Sequence, residues 1–139
     1  MSVQIKSLTN GVPPRDTSLV APNDFFNLIQ GANIVYDLYT APNVTTPTVN
    51  TKAAIVKSIR VINTHATATV KMTLYFNRPN ASGQNRRRLL TPADMSLPPN
   101  FVYIDDSEIT LEPGDKIQGK TDTAAVVQYL ISGVERDAS

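Results

Sequence analysis

The chain has 139 residues, 41% of them hydrophobic and 18% charged, and 13 basic against 12 acidic side chains leave a formal net charge of +1. That length suits one domain, and the charged fraction sits below the roughly 25% of an ordinary soluble domain. With no cysteine and one histidine, disulfide frameworks, thiolate metal sites, cysteine nucleophiles and multi-imidazole zinc sites are excluded. Near-neutrality gives no electrostatic case for specific nucleic acid or an anionic membrane as partner, and no apolar run approaches the roughly 20 residues of a membrane span. The opening Met1-Ser2-Val3-Gln4-Ile5-Lys6 lacks the charged-then-apolar pattern of a secretory leader, so synthesis in a cytoplasm is expected.

Residues 1–32 read as an irregular N-terminal arm, and 33–139 as the folded domain. The arm holds one strand pattern, Val3 to Leu8, then the punctuation of Asn10-Gly11 and Pro13-Pro14. Asp24 is placed to cap a short helical turn through Phe25, Phe26, Leu28 and Ile29, stopped by Gly31. Such a turn is too short to stand alone and must dock on something. That makes Phe25 and Phe26 candidate contacts with a neighbouring subunit.

From Asn33 onward the signal is β. Ile34, Tyr36 and Leu38 alternate to one side of Asp37, and Thr40 to Lys52 reads as a polar loop. Ala54 to Asn63 is rich in β-branched residues. Val70, Met72, Leu74 and Phe76 point inward, between outward Thr69, Lys71, Thr73 and Tyr75. Thr64 to Thr67 is expected to join these two strands as a hairpin. Shorter strands follow at 88–90, 101–104, 109–111 and 116–119, and a long one over 125–134. Pro98-Pro99 and Glu112-Pro113-Gly114-Asp115 mark turns, the second fitted to type II. About eight strands without an amphipathic helix predict an all-β fold, an antiparallel β-sandwich or jelly roll.

Catalytic parts are not apparent. His65 has no nucleophile elbow to serve, so it reads as a loop residue. Asp105, Asp106 and Glu108 depart from calcium-loop spacing and read as a solvated turn. No phosphate-binding glycine motif occurs. The chain is therefore expected not to be an enzyme, and to need no cofactor and no metal. Arg86, Arg87 and Arg88 form the single charge run, without the aromatic pattern of a nucleic-acid platform. They are candidate inter-subunit contacts.

The order of motifs carries a resemblance. Leu38-Tyr39-Thr40-Ala41-Pro42, then Leu111-Glu112-Pro113-Gly114-Asp115-Lys116-Ile117, then Ser132-Gly133-Val134-Glu135 resemble, in that order, the small β-sandwich structural proteins of tailed bacteriophage virions. The resemblance spans roughly residues 34–135 and brings no catalytic residues. It implies a virion protein, made in the host cytoplasm, whose partners are its own copies and the major capsid or other virion proteins. Capsid decoration or cementing is the first expectation and a head–tail connector or tail component the second. A carbohydrate- or receptor-binding module, with Tyr75 as its exposed aromatic, is a further alternative. The low charge content agrees with a surface meant to be covered, since interface cores are depleted in charge.

Overall fold

A computed structural model describes residues 3–7, 28–44, 50–80, 82 and 84–137. Among these there are twelve strands and no helix: β1 (Val3–Ser7), β2 (Leu28–Ile29), β3 (Tyr36–Thr40), β4 (Asn43–Val44), β5 (Asn50–Asn63), β6 (Val70–Asn77), β7 (Arg87–Leu89), β8 (Met95–Leu97), β9 (Val102–Asp105), β10 (Ile109–Leu111), β11 (Lys116–Thr121) and β12 (Val127–Asp137). They form a β-sandwich of two antiparallel sheets. In the larger sheet β1 and β2 line one side of β12, β5 lies on its other side, and β9, β10 and β4 pair with β5. In the smaller, the order is β3-β11-β6, with β7 and β8 both on β6.

The long β5–β12 ladder, from Val127↔Asn63 to Asp137↔Lys52, is the spine of the larger sheet. Strand alternation sends Val56, Ile59, Val61, Val127, Tyr129 and Ile131 to its inner face, where all are buried. Leu38, Tyr39, Val70, Met72, Leu74 and Ile117 meet them from the smaller sheet. The expected inward set on β6 holds. Thr73 nonetheless lies buried on the outer face, because the loop between β7 and β8 folds over it and the Asp94 N–H donates to its hydroxyl at 2.8 Å.

The 112–115 turn also forms as expected, with Gly114 at φ 87° and the Asp115 N–H bonded to the Glu112 carbonyl at 3.0 Å. A positive φ at the third position is what the type II turn requires, and glycine supplies it without strain.

Other expectations are corrected. Thr64–Thr67 does not make a hairpin, because β5 and β6 belong to different sheets. Asn63 turns the chain out of the larger sheet. Its amide nitrogen donates to the carbonyls of Ala68, Leu97 and Pro98, while its oxygen accepts from the His65 N–H. Leu28 and Ile29 are not helical: they pair antiparallel with Gln128 and Val127. Phe25, Phe26 and the proposed cap Asp24 lie outside the described residues. The 40–52 stretch is not all loop, since Asn43 and Val44 pair back onto Thr51 and Asn50. A bulge between Ile117 and Gln118 opposite β3 lets Leu38 and Tyr39 both be buried, and Ile34 is exposed. The strand count exceeds the expected eight because two- and three-residue strands carry little periodicity of their own.

A second bulge lies between Ser132 and Gly133 on the β5–β12 ladder, leaving Lys57 as the extra residue. Here the backbones approach so closely that a Cβ on Gly133 would sit 2.1 Å from the Ile55 carbonyl oxygen. Gly119 is less confined, because its nearest neighbours are the side-chain ends of Leu38 and Leu74 at 2.8 and 3.3 Å. Gly133→Ala is therefore expected to destabilise the fold by about 3 kcal/mol or more, and Gly119→Ala by about 1–2 kcal/mol. Urea denaturation of both variants measures the difference, and equal losses contradict it.

Candidate interaction surface

The 38–42, 111–117 and 132–135 segments meet at one end of the sandwich. Tyr39 donates its hydroxyl across the sheets to the buried Glu135 carboxylate. The Ala41 N–H donates to the Asp115 carbonyl at 2.9 Å, and the Gly114 N–H to the Ala41 carbonyl at 2.8 Å. The buried Asp115 carboxylate accepts the Glu112 N–H and a two-pronged bond from Arg78, whose guanidinium also lies over the Phe76 ring at 5.5 Å. The cluster closes the end of the core. Its polar atoms are committed to one another.

Other titratable side chains flagged in the sequence are structural too. His65 Nδ1 accepts the N–H groups of Thr67 and Ala68. Asp105 caps the Ser107 N–H, Glu108 pairs with Lys57, and Asp122 accepts from the Lys71 N–H and the Thr123 hydroxyl. Among the described residues no group of three or more His, Asp or Glu is placed to hold a metal ion.

The outer face of the smaller sheet carries a polar ladder at its centre, with Leu89, 56% exposed, beside Tyr75 at the β7 edge. Lys116 and Gln118 both donate to Asp37, at 2.9 and 2.6 Å, and Arg87 Nε donates to Gln118 at 2.8 Å. Burial opposes ionisation of Asp37, yet the hydrogen bonds from Gln118 and Lys116 outweigh it and hold its carboxyl below the usual 3.8. Arg87 also lies over the Tyr75 ring at 5.8 Å, covering the ring that a sugar would stack on. Arg86 caps the carbonyl of Arg78 at 3.0 Å, and Arg88 bonds the carbonyl of Arg87 at 3.3 Å. The arginine run thus folds back on its own loop and sheet.

The outer face of the larger sheet is the opposite. Leu130, Arg60 and Ile104 form one cross-strand row on β12, β5 and β9. Leu130 is 42% exposed and Ile104 55%. The neighbouring row is Gln128, Ile62 and Val102, and Phe101, 51% exposed, sits at the start of β9. Beyond the bulge, Val134, Ile55 and Thr110 continue the face. A depression of about 210 Å³ opens between Arg60, Ile62, Gln128, Tyr129 and Leu130. Single exposed apolar residues are ordinary, whereas a contiguous apolar patch marks a surface that binds.

Sequence reasoning passed over Arg60, Ile104 and Leu130. The signal was present in Val126-Val127-Gln128-Tyr129-Leu130-Ile131, a run apolar at both parities. In an antiparallel sheet such a strand is covered on both faces or awaits a cover.

No family model and no curated protein matches the sequence. A solved structure of infectious bursal disease virus, Gx strain, is similar with a TM-score of 0.47 and 12% identity, over 97% of this chain and 32% of that one. The chain spans about a third of the length of that neighbour.

The cross-sheet Tyr39–Glu135 bond has a measurable signature. Burial, then the bond to Glu135 and the charge of that carboxylate, hold the Tyr39 hydroxyl protonated well above its ordinary 10.0. Burial alone does the same for Tyr129. The unfolded chain loses these protons first, so the stability they contribute is complete below pH 10 and falls as pH rises above it. Tyr39→Phe is expected to cost about 1–3 kcal/mol at neutral pH, because the buried Glu135 loses this donor. Above pH 10 the same variant should lose stability less steeply than the parent, by up to about 1.4 kcal/mol per pH unit. Denaturation curves at neutral and alkaline pH test both expectations.

Proposed function

We propose that this chain is a structural protein of a virus particle, attached to its neighbours by burying the outer face of its larger sheet. The most specific form of the proposal is a decoration or cement protein on the shell of a tailed bacteriophage. The observation that carries it is the apolar face around Ile62, Val102, Ile104 and Leu130, opposite a smaller sheet whose central outer residues Asp37, Lys116, Gln118 and Arg87 bond one another. The ordered motifs at 38–42, 111–117 and 132–135 supply the phage resemblance.

A non-catalytic role agrees with how His65, Asp105, Asp115 and Asp122 are used, each capping backbone N–H groups or holding a turn. In this proposal the chain acts by surface burial, and many weak contacts repeated over a symmetric shell add to firm attachment. Contacts with its own copies fall to the candidate residues Phe25, Phe26, Arg86, Arg87 and Arg88, of which Arg87 and Arg88 stand on β7 of the smaller sheet. The residue 1–32 segment is more than an accessory to such contacts. Val3–Ser7 and Leu28–Ile29 pair along the free side of β12, so removing it would also expose a sheet edge.

Leu130→Asp is expected to abolish association with particles while leaving the melting temperature within a few degrees of the parent, because the side chain is half exposed in the free protein. Co-sedimentation with particles reads the first and thermal melting the second. Normal particle binding by this variant overturns the proposed attachment face. Quantitative mass spectrometry of purified particles separates the stations: copies on the order of hundreds mean the shell, and about a dozen or fewer mean a neck or tail component.

A further inference from the structure

Two cations stand on the apolar face without a partner among the described residues. Arg60 lies at its centre, flanked across the strands by Leu130 and Ile104. Arg136 lies beyond the bulge, in the shallow cleft with Ile55, Thr110 and Val134. Both are exposed, and neither makes a hydrogen bond or ion pair among the described residues. Lys57, the third cation of this region, is already paired with Glu108. No carboxylate occupies an outward position in the rows 128–62–102, 130–60–104, 132–58 or 134–55–110. The face is apolar with an unanswered positive charge at its middle.

That charge selects the occupant. Covering Leu130 and Ile104 also removes Arg60 from water, and a guanidinium taken out of water without a counter-charge is costly. A second copy laid face to face by a two-fold axis brings Arg60 and Arg136 from these rows and no outward carboxylate among their described residues, so self-pairing places like charges together. We infer that the larger sheet docks against a different protein, whose surface presents an Asp or Glu carboxylate among apolar side chains, and that Arg60 receives this carboxylate in a two-pronged bond. Arginine suits the place: its planar fork matches a carboxylate, its stem packs on apolar neighbours, and it recurs at the centres of interfaces. The inference rests on the attachment face proposed above and adds the identity of the partner's chemistry.

The test uses purified full-length chain re-added to particles prepared without it. R60E is expected to weaken binding by about tenfold or more at physiological salt, and R60Q by less, while Lys120→Glu on the smaller sheet binds as the parent does. R60K chains bound to particles and treated with a zero-length carbodiimide, which joins amines to carboxylates, should be cross-linked through position 60 to an Asp or Glu of another particle protein. Parental binding by both R60E and R60Q overturns the inference, as does a cross-link from position 60 to a second copy of this chain. Arg60-dependent binding to phosphatidylglycerol–phosphatidylcholine vesicles, without an effect on particles, overturns it in favour of lipid. Leu130→Asp separates the two levels. If it releases the chain while R60E does not, the attachment face stands and the carboxylate is wrong; if neither releases the chain, both fail.

Discussion

The structure depends on one ladder, the antiparallel pairing of β5 with β12 from Val127↔Asn63 to Asp137↔Lys52. Both strands carry apolar residues on both faces. On the inner side Val56, Ile59, Val61, Tyr129 and Ile131 are covered by the smaller sheet, and that burial is the main favourable term in the fold. On the outer side Ile62, Leu130 and their neighbours meet solvent in the isolated chain. A single pair of strands thus builds the core and leaves a surface of the same chemistry facing out. The bulge at Gly133 shifts the register by one residue, and glycine there lets the Ile55 carbonyl approach where any side chain would collide.

One end of the sandwich is closed by polar groups that satisfy one another. Glu135 and Asp115 are buried carboxylates, and each is placed to hold two elements together: Tyr39 to β12 in one case, Arg78 and the 112–115 turn in the other. Buried polar groups are tolerated when hydrogen-bonded and costly when a partner is removed. The 38–42, 111–117 and 132–135 segments, distant in sequence, are thereby adjacent in the fold. The low charge fraction also becomes local: charge is retained on the smaller sheet, the turns and the loop around Arg86, and thinned on the outer face of the larger sheet.

Much of this was legible from the residues. The β6 alternation of Val70, Met72, Leu74 and Phe76 gave inward and outward faces correctly, because period-two burial is a local property. Pro113-Gly114 gave the turn for the same reason. The choice of sheet partner was not legible. β5 and β6 are joined by a short loop, as hairpin strands are, yet Asn63 binds Leu97 and Pro98 from far along the chain and sends the strands to different sheets. Leu28 and Ile29 have no strand signal of their own, and β12 imposes their conformation. The arginine run at 86–88 drew attention as a charge cluster, but its guanidinium groups are occupied by Arg78, Arg87, Gln118 and Tyr75. Arg60, one of three cations in β5 with Lys52 and Lys57, gained meaning only when the register set it between Leu130 and Ile104.

The outer face of the smaller sheet is bonded at its centre and that of the larger sheet is mainly apolar. The apolar side is solvated in the free chain and covered in the proposed assembly, which makes its accessibility the most direct measure of that proposal. Hydroxyl-radical footprinting of the free and the particle-bound chain measures this residue by residue. Oxidation of Phe101, Ile104 and Leu130 is expected to drop on binding, while Tyr75 and Leu89 on the smaller sheet are oxidised equally in both states. Undiminished oxidation of Ile104 and Leu130 in the bound chain, or protection confined to the smaller sheet, would contradict it.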